Sequence, residues 1–288
     1  MSKIKVFLEM IKFEHTLFAL PFAYLGAFLA ARAQHGGFPS ALQLVWITLA
    51  MVGARTAAMS LNRLIDRHID ARNPRTAQRA IPVGLLGASE VYVYVLLSFA
   101  LLAFAAYQLN MLALKLMPIA VFVLVFYSYT KRYTWACHFV LGIALGLAPV
   151  GAWIGITGAW AWPPVLLGLG VTVWVAGFDV VYACQDVEFD RREGLYSIPA
   201  VFGLTRGLEI SALVHVLAPL CFIAVGVLIK LGFLYFLGVL IAIVLLYRQH
   251  RLVSASDLSK VGIAFFNLNG YLSVMLFVFS LLDLIIFR

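Results

Sequence analysis

Polar stretches long enough to surround a water-soluble core are missing from this sequence. Only 12% of its 288 residues are charged, 64% are hydrophobic, and mean hydropathy is +0.99. Soluble domains carry about twice that share of charge, so an ordinary soluble globule is excluded. Acid is scarcer still: 13 Asp and Glu stand against 21 Lys and Arg, a formal net charge of +8. In a soluble protein that excess would suggest nucleic acid. Here the basic residues fall between apolar runs, where membrane topology and anionic headgroups account for them, and no nucleic-acid partner is expected. Cysteine is nearly absent. Cys137, Cys184 and Cys221 have no ligand spacing and are odd in number, so they read as reduced and structural, and zinc and redox motifs are excluded. No low-complexity linker or soluble insert interrupts the chain, which leaves a single polytopic domain over 1–288.

What is present is a series of apolar runs of spanning length, at about 15–33, 42–61, 90–108, 110–129, 137–156, 163–184, 208–229, 231–248 and 265–286. A helix needs about 20 residues to cross a bilayer, so the sequence predicts about nine transmembrane helices. The first run follows a basic start and precedes Ala31-Arg32-Ala33, which mimics a signal peptide, but it is as long as a true span and more spans follow. Ahead of it, Ile4, Phe7, Leu8 and Ile11 recur at helical spacing, with Lys3, Lys5, Glu9 and Lys12 elsewhere. Residues 1–13 therefore read as an amphipathic segment on the membrane interface. Pro21, Pro118, Pro149 and Pro219 lie within spans and predict kinks that open a lateral groove.

Basic residues orient the bundle. Lys3, Lys5, Lys12, Arg63, Arg67, Arg72, Arg75, Arg79, Lys131, Arg132, Arg191, Arg192, Arg206, Arg248, Arg251 and Lys260 fall on one side. Only Arg32, Lys115, Lys230 and Arg288 fall on the other, with Arg55 inside a span. The positive-inside rule puts the N-terminus and the two long connections, 62–89 and 185–207, in the cytoplasm. For a bacterial chain the membrane is the inner one.

Chemistry concentrates at the starts of those connections. Asn62, Asp66 and Asp70 recur every four residues, and Asp186 and Asp190 repeat the spacing after the sixth span. On a helix such residues are neighbours about 5–6 Å apart. Both motifs end at the same membrane face. With Asp179 and Glu188 they hold nearly half of the chain's 13 acidic residues. Oxygen donors without His or Cys suit a hard cation, and Mg²⁺ commonly shares its coordination with substrate phosphates. The motifs therefore predict Mg²⁺ and a diphosphate, with Arg72, Arg75, Arg79, Lys131 and Arg132 as phosphate clamps. The alternative is a solvated charge cluster in which Arg63 and Arg67 pair Asp66 and Asp70 locally. Arg55 and Asp179 lie seven residues before their motifs, about 10 Å deeper on the same faces, with Tyr182 one turn from Asp179. Charge inside a span is usually functional or mutually paired, so these three form the candidate catalytic layer, an Arg55–Asp179 ion pair being the structural alternative. His15, His138 and His215 stand alone on apolar runs and read as core histidines.

These residues resemble the UbiA superfamily of intramembrane prenyltransferases, which carries N-x-x-x-D-x-x-x-D after its second helix and D-x-x-x-D after its sixth. The strings Tyr127-Ser128-Tyr129-Thr130-Lys131-Arg132, Tyr182-Ala183-Cys184-Gln185-Asp186 and Ser197-Ile198-Pro199 match as well. The segment FEHTLFALPFAYLGAF is similar to members that prenylate 4-hydroxybenzoate and to relatives that prenylate 1,4-dihydroxy-6-naphthoate. Where many of the former read R-T-x-x-R-P, this chain has Arg75-Thr76-Ala77-Gln78-Arg79-Ala80-Ile81-Pro82, and both acceptors stay open. The resemblance implies an all-α membrane protein: a nine-helix bundle around a central cavity, capped by cytoplasmic loops. It implies Mg²⁺-dependent transfer from a polyprenyl diphosphate to an aromatic acid acceptor in respiratory quinone biosynthesis. Alternatives are another acceptor within the family (haem, chlorophyll) or a cation-coupled transporter, which would favour polar groups at mid-span. A CDP-alcohol phosphotransferase is excluded because its D-G-x-x-A-R opening is missing.

Overall fold

The computed structural model describes residues 3–11 and 16–287; Lys12, His15 and Arg288 lie outside the described residues. The regular elements are helices: α1 (Lys3–Met10), α2 (Thr16–His35), α3 (Ala41–Ile65), α4 (Arg67–Arg72), α5 (Ala88–Leu109), α6 (Met111–Thr130), α7 (Cys137–Thr157), α8 (Trp162–Ala183), α9 (Val187–Arg192), α10 (Ile198–Phe202), α11 (Leu204–Ile229), α12 (Phe233–Leu252) and α13 (Asn269–Ile286). Among the described residues, eight helices are long and apolar enough to cross a membrane. At 20 residues, α2 is of spanning length too. The chain is an integral membrane protein, and the expected bundle of about nine helices is the architecture found.

The short connections are fixed by side chains. Between α5 and α6, Asn110 accepts from the Ala113 N–H at 2.9 Å and donates to the Ile154 and Gly155 carbonyls at 2.7 and 3.0 Å. Between α11 and α12, Lys230 adopts a left-handed φ of 57°. Asp283 of α13 then caps α12, accepting from Gly232 N–H at 2.7 Å and Tyr235 N–H at 3.2 Å. Each satisfies backbone groups that a bilayer would leave bare.

Among those eight helices, the one that contains α8 is the most enclosed. Its small residues let neighbours approach: a Cβ on Gly142 or Gly146 of α7 would collide with the Thr172 and Gly168 carbonyls of α8, the small-residue packing that holds membrane helices together. Trp174 is fully buried against Phe22 and donates its indole N–H to Asn269 at 2.9 Å. Outward faces stay apolar. On α11, Leu213, Val216, Leu220 and Val227 are exposed as a stripe at helical spacing, the pattern of a lipid-facing surface. The four span prolines sit inside continuous helices.

Two expectations are corrected. The face of α1 is rotated: Val6, Phe7, Met10 and Ile11 are buried, whereas Ile4 and Leu8 are exposed. Its apolar side packs on Ala80, Leu86 and Val91 because the 73–87 segment offers a protein surface there, and Lys3 pairs with Glu90. The connections 62–89 and 185–207 are also more structured than loops. They contain α4, α9 and α10, and α3 continues to Ile65, so Asn62 is still helical.

Candidate active site

The C-terminal ends of α3, α6 and α8 meet at one end of the bundle, where the carboxylates find partners far away in sequence. Asp66 accepts from Arg132 at 2.6 Å and from the Asn62 amide at 3.0 Å. Asp70 accepts from Arg79 at 2.6 Å. Asp186 receives both arms of the Arg75 fork, at 2.9 and 2.5 Å, and the Asn73 amide at 3.1 Å. Asp190, with no exposure, lies 2.8 Å from Lys131 and accepts from Ser197 at 3.0 Å. The two motifs thus form one site, with one cation opposite each carboxylate. The local pairing with Arg63 and Arg67 does not occur: Arg67 donates to the Leu64 carbonyl and Arg63 to the Asn62 side chain. Nor is either motif one smooth helix. Asp66 is the break between α3 and α4, and Asp186 sits in a 3₁₀ turn ahead of α9. The i to i+4 hydrogen bonds across Asp66 persist, which keeps Asn62, Asp66 and Asp70 in sequence along the cavity.

Burial and charge compete in this cluster. Burial pushes the Asp66 carboxyl above its usual range, and Arg132 offsets only part of that. For Lys131 and Arg75 burial acts downward, but the charges and hydrogen bonds of Asp190 and Asp186, respectively, win and hold both above their ordinary values. Such paired groups are charge-assisted and short.

A cavity of about 1050 Å³ opens from this charged end. Asn62, Asp66, Asp70, Asp186, Arg75, Arg79, Lys131 and Arg132 line it, together with Arg55, Asp179 and Tyr182. Beyond them the wall turns apolar, through Leu102, Met117 and Ala148 to Leu109 and Trp160 near the opposite end. Two predicted residues stand apart. Arg72 is mostly exposed, pairs with Glu193 at 3.1 Å and is not part of the lining. Asp190 is sealed behind Lys131 and Ser197 rather than facing the cavity. Tyr182 holds Arg75 through its hydroxyl at 2.9 Å and packs its ring 4.3 Å from Phe265.

Sequence reasoning missed four residues. Arg63 lines the cavity near Asp70, Tyr127 and Tyr182. Asn73 orients Asp186 and also accepts from Arg75 N–H at 2.9 Å; the Asn-Pro turn signal at 73–74 could have flagged it. Ser197 caps α10 and bonds Asp190. His138 is not a bland core histidine: its Nδ1 lies 2.7 Å from the Asp179 carboxylate. His215, by contrast, is one, bonded to Trp174 O and His250. Among the described residues, no three His, Cys, Asp or Glu side chains are close enough together to hold a metal ion unaided.

Fold and site define an integral membrane enzyme whose cavity is lined by charged groups at one end and by apolar side chains beyond them. The chain matches the UbiA prenyltransferase family over residues 19–271 and belongs to it; it is a prenyltransferase. It is 30% identical to the 4-hydroxybenzoate octaprenyltransferase of Vibrio cholerae over 242 residues, 83% of each chain. The apo structure of a UbiA homolog from Aeropyrum pernix superposes with a TM-score of 0.84 at 32% identity, covering 94% of this chain and 98% of that one. A UbiA homolog from Archaeoglobus fulgidus, bound to GPP and Mg²⁺, shares the fold at a TM-score of 0.75 and 19% identity, covering 99% and 100%.

Proposed function

We propose that this enzyme transfers a polyprenyl group from an allylic polyprenyl diphosphate to an aromatic acid, 4-hydroxybenzoate or 1,4-dihydroxy-6-naphthoate, in respiratory quinone biosynthesis with Mg²⁺. The observation that carries the reading is the single cavity that joins a ring of paired charges to an apolar passage. A prenyl diphosphate has that same polarity along its length.

The donor set fits Mg²⁺. Asp66, Asp70, Asp186 and the Asn62 amide offer only oxygen ligands, and Mg²⁺ keeps waters and substrate oxygens, so one or two carboxylates per ion suffice. Two structures support divalent metal use, the A. fulgidus UbiA homolog bound to GPP and Mg²⁺ and the A. fulgidus UbiA homolog bound to Cd²⁺. When bound, the ion neutralises the departing diphosphate. Arg63, Arg75, Arg79, Lys131 and Arg132 clamp the remaining phosphate oxygens, and Asp190 positions Lys131. The apolar wall excludes water as the allylic C–O bond breaks, its electron pair leaving on the diphosphate. A ring carbon beside the acceptor hydroxyl forms the new bond to the allylic carbon, and Asp179 takes the proton the ring system gives up. Arg55 pairs the acceptor carboxylate, and Tyr182 holds Arg75 and walls the ring.

The test is transfer of a labelled polyprenyl group by purified protein to a panel of acceptors. We expect product with an aromatic acid and at least about a tenfold fall for the same ring without its carboxylate, the scale of one charge-assisted contact. Arg55→Lys narrows that gap because a point charge replaces a fork. Equal use of acid and decarboxylated ring by the parent protein overturns the role of Arg55, and transfer to no aromatic acid overturns the acceptor class.

The basic-residue asymmetry supports a cytoplasmic mouth in a bacterial inner membrane, with the N-terminus on the same side. Cysteines introduced at exposed Gln78 and at Phe287 are expected to label from opposite sides of the membrane. Labelling from one side means that the span count is wrong by one.

A further inference from the structure

Asp179 differs from the four motif carboxylates. Asp66, Asp70, Asp186 and Asp190 each face an arginine or lysine, whereas Asp179 meets the ring of His138, 2.7 Å from Nδ1. His138 is 2% exposed and sits in the first turn of α7. Its other nitrogen, Nε2, lies 3.1 Å from the backbone N of Ile198, at the start of α10. A backbone N–H only donates, so Nε2 presents a lone pair. The ring proton then resides on Nδ1 and is given to Asp179, since which nitrogen is protonated follows from the bond the other makes. A second ring proton would collide with the Ile198 N–H.

We propose that His138 is a positioning residue: a neutral imidazole, held in one tautomer by Ile198, that aims the Asp179 carboxylate into the acceptor site without neutralising it. The proposal rests on the role of Asp179 given above. A guanidinium partner would weaken Asp179 as a proton acceptor by stabilising its charge, whereas a neutral donor orients it with much less of that loss. Ile198 follows Ser197, which bonds Asp190. His138 therefore ties the second carboxylate segment to the acceptor layer.

Two amide variants separate the ring's two bonds. The Asn side-chain amide reaches where Nδ1 lies, and the longer Gln amide reaches where Nε2 lies. His138→Asn is expected to keep most of the acceptor kcat/KM. His138→Gln is expected to lose about 10–100-fold, the loss typical of side chains that orient a metal ligand, with donor KM unchanged. The reverse order, or parental kinetics in His138→Gln, overturns the proposal. Loss in both variants with a raised donor KM also overturns it, because the ring then only anchors the 185–207 segment. Asp179→Asn is measured in parallel. If Asp179→Asn keeps parental acceptor kinetics, the role of Asp179 falls and the proposal with it. If Asp179→Asn is impaired while His138→Gln is parental, only the proposal falls.

Discussion

Excess EDTA is expected to abolish prenyl transfer by the purified protein, and added Mg²⁺ to restore it; Asp66→Asn is expected to lower kcat by on the order of 10²–10³-fold even with Mg²⁺ present. This is the first of the two largest effects expected. Asp66 lines the cavity mouth between the Asn62 amide and the Arg132 guanidinium. Asn in its place keeps the shape but removes the charge, so a charged ligand for a hard cation becomes a weaker, neutral one and Arg132 is left without its counter-charge. Before substrate arrives, each motif carboxylate faces one cation. A diphosphate adds several negative charges to that balanced ring. The added charge has to be met by cations, and divalent ions would supply them, held by Asn62, Asp66, Asp70 and Asp186. The measurement is product formation against free Mg²⁺ for both proteins. Full activity of the parent in excess chelator would sink the metal–diphosphate reading. Asp190→Asn makes a useful contrast. Asp190 lies behind Lys131, so its loss is expected to appear mainly as a raised donor KM through a displaced Lys131.

The spans were the most legible part of the chain, for a physical reason. A bilayer demands about 20 consecutive apolar residues and tolerates no unpaired backbone, so apolar run length translates directly into helix length. The turn at Asn110 and the break near Lys230 fell where the sequence placed them, because only one or two polar residues interrupt the apolar runs there. The carboxylate motifs were legible too, since charge at a span end is conspicuous. Their partners were not. Arg132 reaches Asp66 and Arg75 reaches Asp186 across 66 and 111 residues of sequence, and no local periodicity encodes such pairings. Local reasoning offered Arg63 and Arg67 instead, because they were the nearest cations. The face of α1 was misread for a related reason. Amphipathic spacing shows that a helix has an apolar side but not whether lipid or protein covers it. His138 was hidden because a single histidine on an apolar run carries no pattern; its meaning comes from Asp179 and Ile198, 41 and 60 residues on.

The second large effect concerns Arg63. It follows Asn62 in the first motif, yet the nearby carboxylates are taken: Arg132 holds Asp66 and Arg79 holds Asp70. It donates to the neutral Asn62 side chain at 3.3 Å, and it stands at the cavity wall among Asp70, Arg79, Tyr127 and Tyr182. A positive charge at the edge of a membrane is expensive unless it meets an anion, and the proposed donor diphosphate would supply one. Arg63→Met is therefore expected to raise the donor KM and to lower kcat by on the order of 10²-fold, as for loss of one preorganised group opposite developing charge. Acceptor KM should change little. Arg63→Lys should recover part of the loss, because it restores charge but not the bidentate fork. The measurement is steady-state kinetics with each substrate varied in turn. Parental donor kinetics in Arg63→Met would remove Arg63 from the diphosphate site. A rise confined to the acceptor KM would move it to the acceptor layer beside Arg55.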